Sequence, residues 1–264
     1  MWVFAIHIFP ASAATAGSRS LILCLVRCLG VMPAKKLNQY RGRLSPKQIA
    51  DGMNAAQRNA RRLVDDAKLL LDAGRFPSAA SLAILSIEES GKTSILRQLS
   101  VAKDDKEIAD CWRAYRSHTK KNAMWILTEL FSKGARKLDD FLPMFSDGAE
   151  HPQLLDQVKQ ISFCTDCLGN AHWSEPTDVI EEPFARTIVQ IADIFARDKA
   201  ISAQEIELWI QHIGPVWMAN PDWMRKAVEN WYSEMQQVGL KPAGPNEMED
   251  FIRLGIIRAE SNDT

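Results

Sequence analysis

From Pro46 onward apolar side chains return every three or four residues, and that spacing commits the chain to helices. Ile49, Met53, Ala56, Ala60, Leu63, Ala67, Leu70 and Leu71 make one stripe between Pro46 and Ala73, the buried face of an amphipathic helix. Asp72-Ala-Gly74 closes it, because glycine is favoured just beyond a helix end. Pro77 fits the first turn of the next helix, where a missing N–H is harmless. That second helix carries Ala80, Leu82, Ala83, Ile84, Leu85, Ile87, Ile95, Leu96 and Leu99. It is apolar over most of its circumference, so it is expected at the centre of the fold.

A charged turn, Lys103–Glu107, leads into a third helix predicted to run to about Ser132, with Ile108, Trp112, Tyr115, Trp125, Ile126 and Leu130 as its apolar markers. A short helix over Leu154–Ile161 precedes the longest break in periodicity, FCTDCLGNAHWSEP. Helices are then expected over Pro183–Arg197, Ala203–Trp217 and Pro221–Val238, followed by a polar tail. Alternating β-branched runs bounded by turns are missing from the sequence, so the fold class is all-α, an antiparallel helical bundle with additional C-terminal helices. Trp209, Trp217, Trp223 and Trp231 are read as core. The expected organisation is a leader over 1–45, a bundle over 46–200, and a Trp-rich extension over 201–264 packed on that bundle.

Charge excludes some functions. Lys and Arg number 32 against 33 Asp and Glu, so no global field draws the chain to nucleic acid or membrane, and any such contact needs a local patch. Five cysteines, with Cys164-Thr-Asp-Cys167 the one close pair, are an odd and scattered set that points to reduced thiols. A zinc site would need two more ligands at matching spacing, and His172 alone does not complete it; no metal or cofactor is expected. The first 31 residues are apolar and poor in acids, but Pro10, Ser18, Arg19 and Arg27 interrupt them. Neither half reaches the roughly 20 apolar residues of a spanning helix, and the charges follow rather than precede the apolar stretch, unlike a signal peptide. The expectation is that Met32 is the biological start and that the protein is cytoplasmic.

Residues 86–94, SIEESGKTS, end like a phosphate-binding loop. Such a loop requires glycine five residues ahead of Gly91, where this chain has Ser86, and a preceding strand, where SLAILSIEE reads as helix. On a helix Glu88 and Lys92 are four apart and form a favourable surface pair. Ala79, Ala83, Ser86, Ser90 and Ser94 make a stripe of small side chains along which another helix can approach, with Glu88 and Glu89 beside the contact and Gly91 a close-packing position.

The basic partner for those acids is sought in WRAYRSHTKKN, residues 112–122. Arg113, Arg116, Lys120 and Lys121 put four fixed positive charges, with His118, into nine residues. On its own the cluster reads first as a solvated face around Trp112 and Tyr115. Arg113 and His118, spaced R-x4-H, follow a helix of the form NARRLVDDAKLLLDAGRFPSAASLAILSIEESGK. Together these resemble the AbiV-type abortive infection proteins of the HEPN superfamily, over about residues 54–130. The resemblance implies a HEPN-like bundle and a homodimer in which two motifs face each other across one cleft. It also implies anti-phage defence by metal-independent RNA cleavage or RNA-directed arrest of translation, with a phage-encoded trigger protein as partner.

On that reading Arg113 and His118 are catalytic, with Arg116, Lys120, Lys121, Asn122, Glu88, Glu89 and Lys92 supporting them or binding RNA. A histidine serves as acid or base near neutral pH, and an arginine offers a fixed cation to phosphate. Glu88 or Glu89 is expected to orient Arg113 or Arg116. On a regular helix five residues turn through roughly 140 degrees net, which points Arg113 and His118 apart. Ala114 follows Arg113 where many active HEPN ribonucleases carry a polar residue, and Arg116-Ser-His118 is a second way to pair an arginine with the same histidine. The alternatives are a non-catalytic helical module that binds RNA or protein, and a TPR-like scaffold, for which no second copy appears at a spacing of about 34 residues.

Overall fold

A computed structural model of the protein describes residues 38–123, 125–136, 140, 149–196 and 199–254. The leader and the start at Met32 lie outside the described residues. The chain divides after Tyr40, and the helical unit begins at Arg41.

Helix α1 spans Pro46–Asp72 and α2 Phe76–Val101. Ser45 starts α1 with a capping box, its hydroxyl accepting from Gln48 N–H while Gln48 reaches back to the Ser45 amide. Gly74 ends it at φ +71°, in the left-handed region that glycine adopts without strain. The two helices pack along alanines: Ala60, Ala67, Ala79, Ala80 and Ala83 are all fully buried. Ser86 belongs to the same seam and donates its hydroxyl to the Ala60 carbonyl at 2.8 Å. The small-residue stripe on α2 therefore receives α1.

Helices α3 (Asp105–Arg116), α4 (His118–Lys121) and α5 (Leu127–Ser132) occupy the stretch expected as one third helix. The interruption is at Ser117, whose backbone is extended at φ −80°, ψ 132°. Its N–H closes α3 on the Arg113 and Ala114 carbonyls, and its hydroxyl accepts from Lys120 N–H to open α4. One serine thus ends one helix and caps the next, a competition with helix continuation that short polar side chains are suited to win.

Helix α6 (His151–Phe163) leads into a hairpin of β1 (Asp166–Leu168) and β2 (His172–Ser174), paired antiparallel with Cys167 opposite Trp173. The expected loop there holds this short ladder, turned by Gly169 and Ala171 at positive φ. Then come α7 (Pro176–Val179), α8 (Glu182–Phe195), α9 (Ala203–Ile213), a 3-10 turn over Gly214–Val216, α10 (Pro221–Gln237) and α11 (Glu247–Arg253). Helix α11 lies in the expected polar tail; Asn246 caps it, accepting from Met248 and Glu249 N–H. Among the described residues the fold is all-α apart from the hairpin.

Helix α2 is central, packed against α1, α8, α6 and α3. One core cluster joins Val64, Ile84, Ile87, Leu155 and Ile188; a second joins Ile49, Met53, Leu96, Leu99, Ile108 and Trp112 with Ile206 of α9. Of the four tryptophans assigned to the core, Trp231 is buried and packs edge-on against the partly buried Trp209. Trp217 packs at the edge of the Val101 cluster. Trp223, in contrast, is exposed, with Pro221 and Asp222 beside it in the exposed first turn of α10. Among the described residues no helix is long and apolar enough to cross a membrane.

Candidate active site

Glu88 sits in the middle of α2 at 2 % exposure, a carboxylate in a place where a charge is costly unless matched. Three groups match it. Lys159 of α6 donates to Oε1 at 2.6 Å, His118 Nδ1 meets Oε2 at 2.6 Å, and Lys121 Nζ lies 3.5 Å from the same oxygen. Lys159 also donates to Asp156 Oδ1 at 2.6 Å. Two carboxylates thus face two ammonium groups, and the imidazole adds a third donor to Glu88.

The break at Ser117 makes this geometry. His118 and Lys121 stand three apart on α4, hence on one face, and that face is laid over α2. The contact is between backbones. A Cβ built on Gly91 would stand 2.1 Å from the Lys121 carbonyl oxygen, so only glycine admits α4 at this height. With α4 seated there, His118 and Lys121 reach down to Glu88, one turn earlier on α2.

Electrostatics differ between the two lysines. Burial holds the Lys121 ammonium below its ordinary range, against the pull of Glu88 and with Lys92 adding repulsion. Lys159 is pushed down by burial too, but hydrogen bonds to Asp156 and Glu88 outweigh that and raise it. Since a carboxylate only accepts, Nδ1 of His118 donates to Glu88, which leaves Nε2 as the ring nitrogen available for proton exchange. The ring is more than half exposed and Nε2 has no partner among the described residues. A carboxylate behind one ring nitrogen and an open second nitrogen is the arrangement that orients a histidine for proton transfer.

The other expected residues divide. Arg113 is exposed in the last turn of α3 and pairs with Asp110, its neighbour one turn back. Arg116 lies over the Trp112 ring and donates to the Trp112 carbonyl. Neither is recorded on Glu88 or Glu89, so the expected orienting pair is replaced: the acid holds the histidine. The reason is the Ser117 break, which leaves both arginines on α3 while turning α4 toward α2. Glu89 pairs with Lys92, which also stacks over the Tyr115 ring; the expected Glu88–Lys92 pair does not form, because Glu88 turns inward. Lys120 is exposed on α4. Asn122 is fully buried at the end of α4, and among the described residues neither its amide oxygen nor its nitrogen has a partner.

Asp156 and Lys159 went unread in the sequence. Their i, i+3 spacing announces an ordinary helix pair, and nothing local indicates a meeting with Glu88 across 71 residues.

Comparison with family models decides what this arrangement belongs to: the HEPN model described as AbiV matches residues 48–197, more than half of the chain. The chain belongs to the HEPN AbiV family. Comparison with curated proteins and with solved structures gave no match. The stretch matched to AbiV contains every member of the Glu88 cluster and ends before α9.

Glu88, His118 and Asp156 also bring three ligand atoms within 4.8 Å of one another, a grouping that suits a metal. In this AbiV chain the central position is already cationic: the Lys159 ammonium bridges Glu88 and Asp156 at 2.6 Å to each. A metal would have to evict a lysine that is only 6 % exposed and paired twice, so the residues present do not fit a resident ion.

Proposed function

We propose that the protein is a cytoplasmic abortive-infection defence protein that arrests the infected cell by cleaving RNA without a metal. The observation that carries this reading is the 2.6 Å contact from His118 Nδ1 to the buried Glu88 carboxylate, which leaves Nε2 facing outward. In metal-independent cleavage Nε2 takes the proton of a ribose 2′-hydroxyl, O2′ attacks phosphorus, and the O5′–P bond breaks as O5′ is protonated. The products are a 2′,3′-cyclic phosphate and a 5′-hydroxyl. The general acid is a second imidazole, supplied by another copy of the chain in a homodimer whose motifs face each other.

Arg113 is assigned to the phosphate. Its pair with Asp110 is exposed, and exposed pairs contribute about 0–1 kcal/mol, so a phosphodiester can take the guanidinium over at little cost. Arg116 and Lys120 add positive charge beside it. A phage-encoded protein is the assigned trigger.

The test uses purified wild type and His118→Ala on single-stranded RNA in the presence of a chelator. Wild type is expected to leave cyclic-phosphate ends, and the variant to lose on the order of 100-fold or more in rate. A variant that cleaves at the wild-type rate ends the catalytic assignment. Ala114, where many active HEPN ribonucleases carry a polar residue, favours one rival, a non-catalytic module that binds RNA through the same cations. Salt-sensitive binding with intact RNA would select it.

A further inference from the structure

Asp156 and Lys159 of α6 take no part in the proton transfers assigned to His118. The Lys159 side chain is 6 % exposed, too deep to touch an RNA, yet it stands directly behind the acid that holds the imidazole. Glu88 turns one oxygen to each side, Oε2 to His118 Nδ1 and Oε1 to the Lys159 ammonium, both at 2.6 Å. Asp156 Oδ1 accepts from the same ammonium at 2.6 Å. Ligand atoms of Glu88, Asp156 and His118 all lie within 4.8 Å of one another, so both carboxylates act on the ring at short range.

A lysine that only neutralised Glu88 would need no second acid. Asp156 draws part of the ammonium's attraction to itself, and Glu88 keeps a share of its negative charge for the imidazole. Burial pushes the Lys159 ammonium down, but hydrogen bonds to Asp156 and Glu88 outweigh that and keep it charged. The remaining charges around His118 are weaker partners for Glu88. Lys121, on the same face of α4, stands 3.5 Å away and burial works against its charge; Lys120 is exposed. On α2, Glu89 and Lys92 pair with each other, and on α3, Arg113 is held by Asp110 and Arg116 lies on the Trp112 ring.

We propose that Asp156 and Lys159 are positioning residues of the His118 site: by dividing one ammonium between two carboxylates they set how much negative charge Glu88 presents to the imidazole, and so the pH at which His118 exchanges its proton. Their part in catalysis rests on the proton transfer assigned to His118 above; their effect on the ring does not. Lys159→Met leaves both carboxylates unmatched beside the ring, which favours the imidazolium and moves its titration to higher pH. Asp156→Asn removes one negative charge and returns the whole ammonium to Glu88, which disfavours the imidazolium and moves the titration to lower pH. A pair that merely propped up the fold would not act in opposite directions.

The test is NMR titration of the histidine rings in the whole chain, from about pH 5 to 9. His118 is one of five histidines, and its ring signal is the one lost in His118→Ala. Its midpoint is expected about 0.5 unit or more above wild type in Lys159→Met and about 0.5 unit or more below it in Asp156→Asn, since solvent on the exposed side of the ring screens part of each change. In RNA cleavage the whole bell of rate against pH moves with the same sign, because the imidazole of each copy has the same pair behind it. Asp156 is partly exposed and accepts asparagine readily, so Asp156→Asn decides alone if Lys159→Met does not fold. An unchanged midpoint in either folded variant, or shifts of the same sign in both, would overturn the inference even in a protein that cleaves RNA. Opposite shifts in a protein whose His118→Ala variant cleaves as well as wild type would uphold the tuning and remove only the cleavage reading.

Discussion

At the scale of single residues, the molecule turns on Glu88. A buried carboxylate with two ammonium groups and an imidazole is costly to disturb, because removing one partner strands the others. Glu88→Gln is expected to lower unfolding stability by about 3–5 kcal/mol in denaturant titration. It should also remove the hydrogen bond that fixes the His118 ring. A double cycle of Glu88→Gln with Lys159→Met should show coupling of roughly 1–3 kcal/mol, the signature of a direct pair. The R-x4-H spacing, joined to the long helix motif that precedes it, singled out Arg113 and His118 as candidates, and the acids of α2 were legible as neighbours of that stretch. What the sequence did not disclose was the pairing. Arginines are the stronger partners for acids in general, yet the arginines here are held by Asp110 and the Trp112 ring, and Glu88 takes the histidine instead.

At the scale of elements, the close approach of α4 to α2 decides the site. In an exposed helix Gly→Ala gains about 1 kcal/mol. Gly91→Ala should do the reverse, since the added methyl would meet the Lys121 carbonyl oxygen at 2.1 Å. The measurement is a thermal melt, in which a raised melting temperature would contradict the contact. Periodicity made α1 and α2 readable to within a few residues, because each has a long apolar stripe and clear end signals; α6 was placed within three residues although its buried face is Leu155, Lys159 and Ser162. The break at Ser117 was not readable: neither glycine nor proline marks it, and the basic run through it has no apolar period. The tie between α1 and α8 has a pH signature. Hydrogen bonds from Lys68 and then Arg61 hold the Asp193 carboxyl below its ordinary value. A depressed carboxyl stabilises the fold above its unfolded value, about 3.9, and loses that contribution as pH falls through the folded one. The stability gap between wild type and Asp193→Asn should therefore be present at pH 7 and close below about pH 4.

For the whole molecule, the C-terminal helices are more than an appendage to the AbiV-matched region. Ile206 of α9 is fully buried among Ile49, Met53, Leu96 and Leu99. Asn54 exchanges two 2.8 Å hydrogen bonds with the Ile201 backbone, and Glu205 holds Arg97. A fragment of residues 41–200 would expose that face, at about 1.5–3 kcal/mol for each large side chain uncovered. It is expected to lose a cooperative unfolding transition that a 41–254 fragment keeps, as read by circular dichroism. The tryptophan count hinted at this packing, but only Trp231 and Trp209 take part fully, and Trp223 stands in solvent.

The carboxylate shared by α2, α4 and α6 also bears on how the protein is made. As the chain leaves the ribosome, Arg113 and His118 emerge well before Lys159, and until that lysine arrives the Glu88 charge lacks its 2.6 Å ammonium partner. A product that stops short of Lys159 displays the R-x4-H motif without an assembled centre behind it.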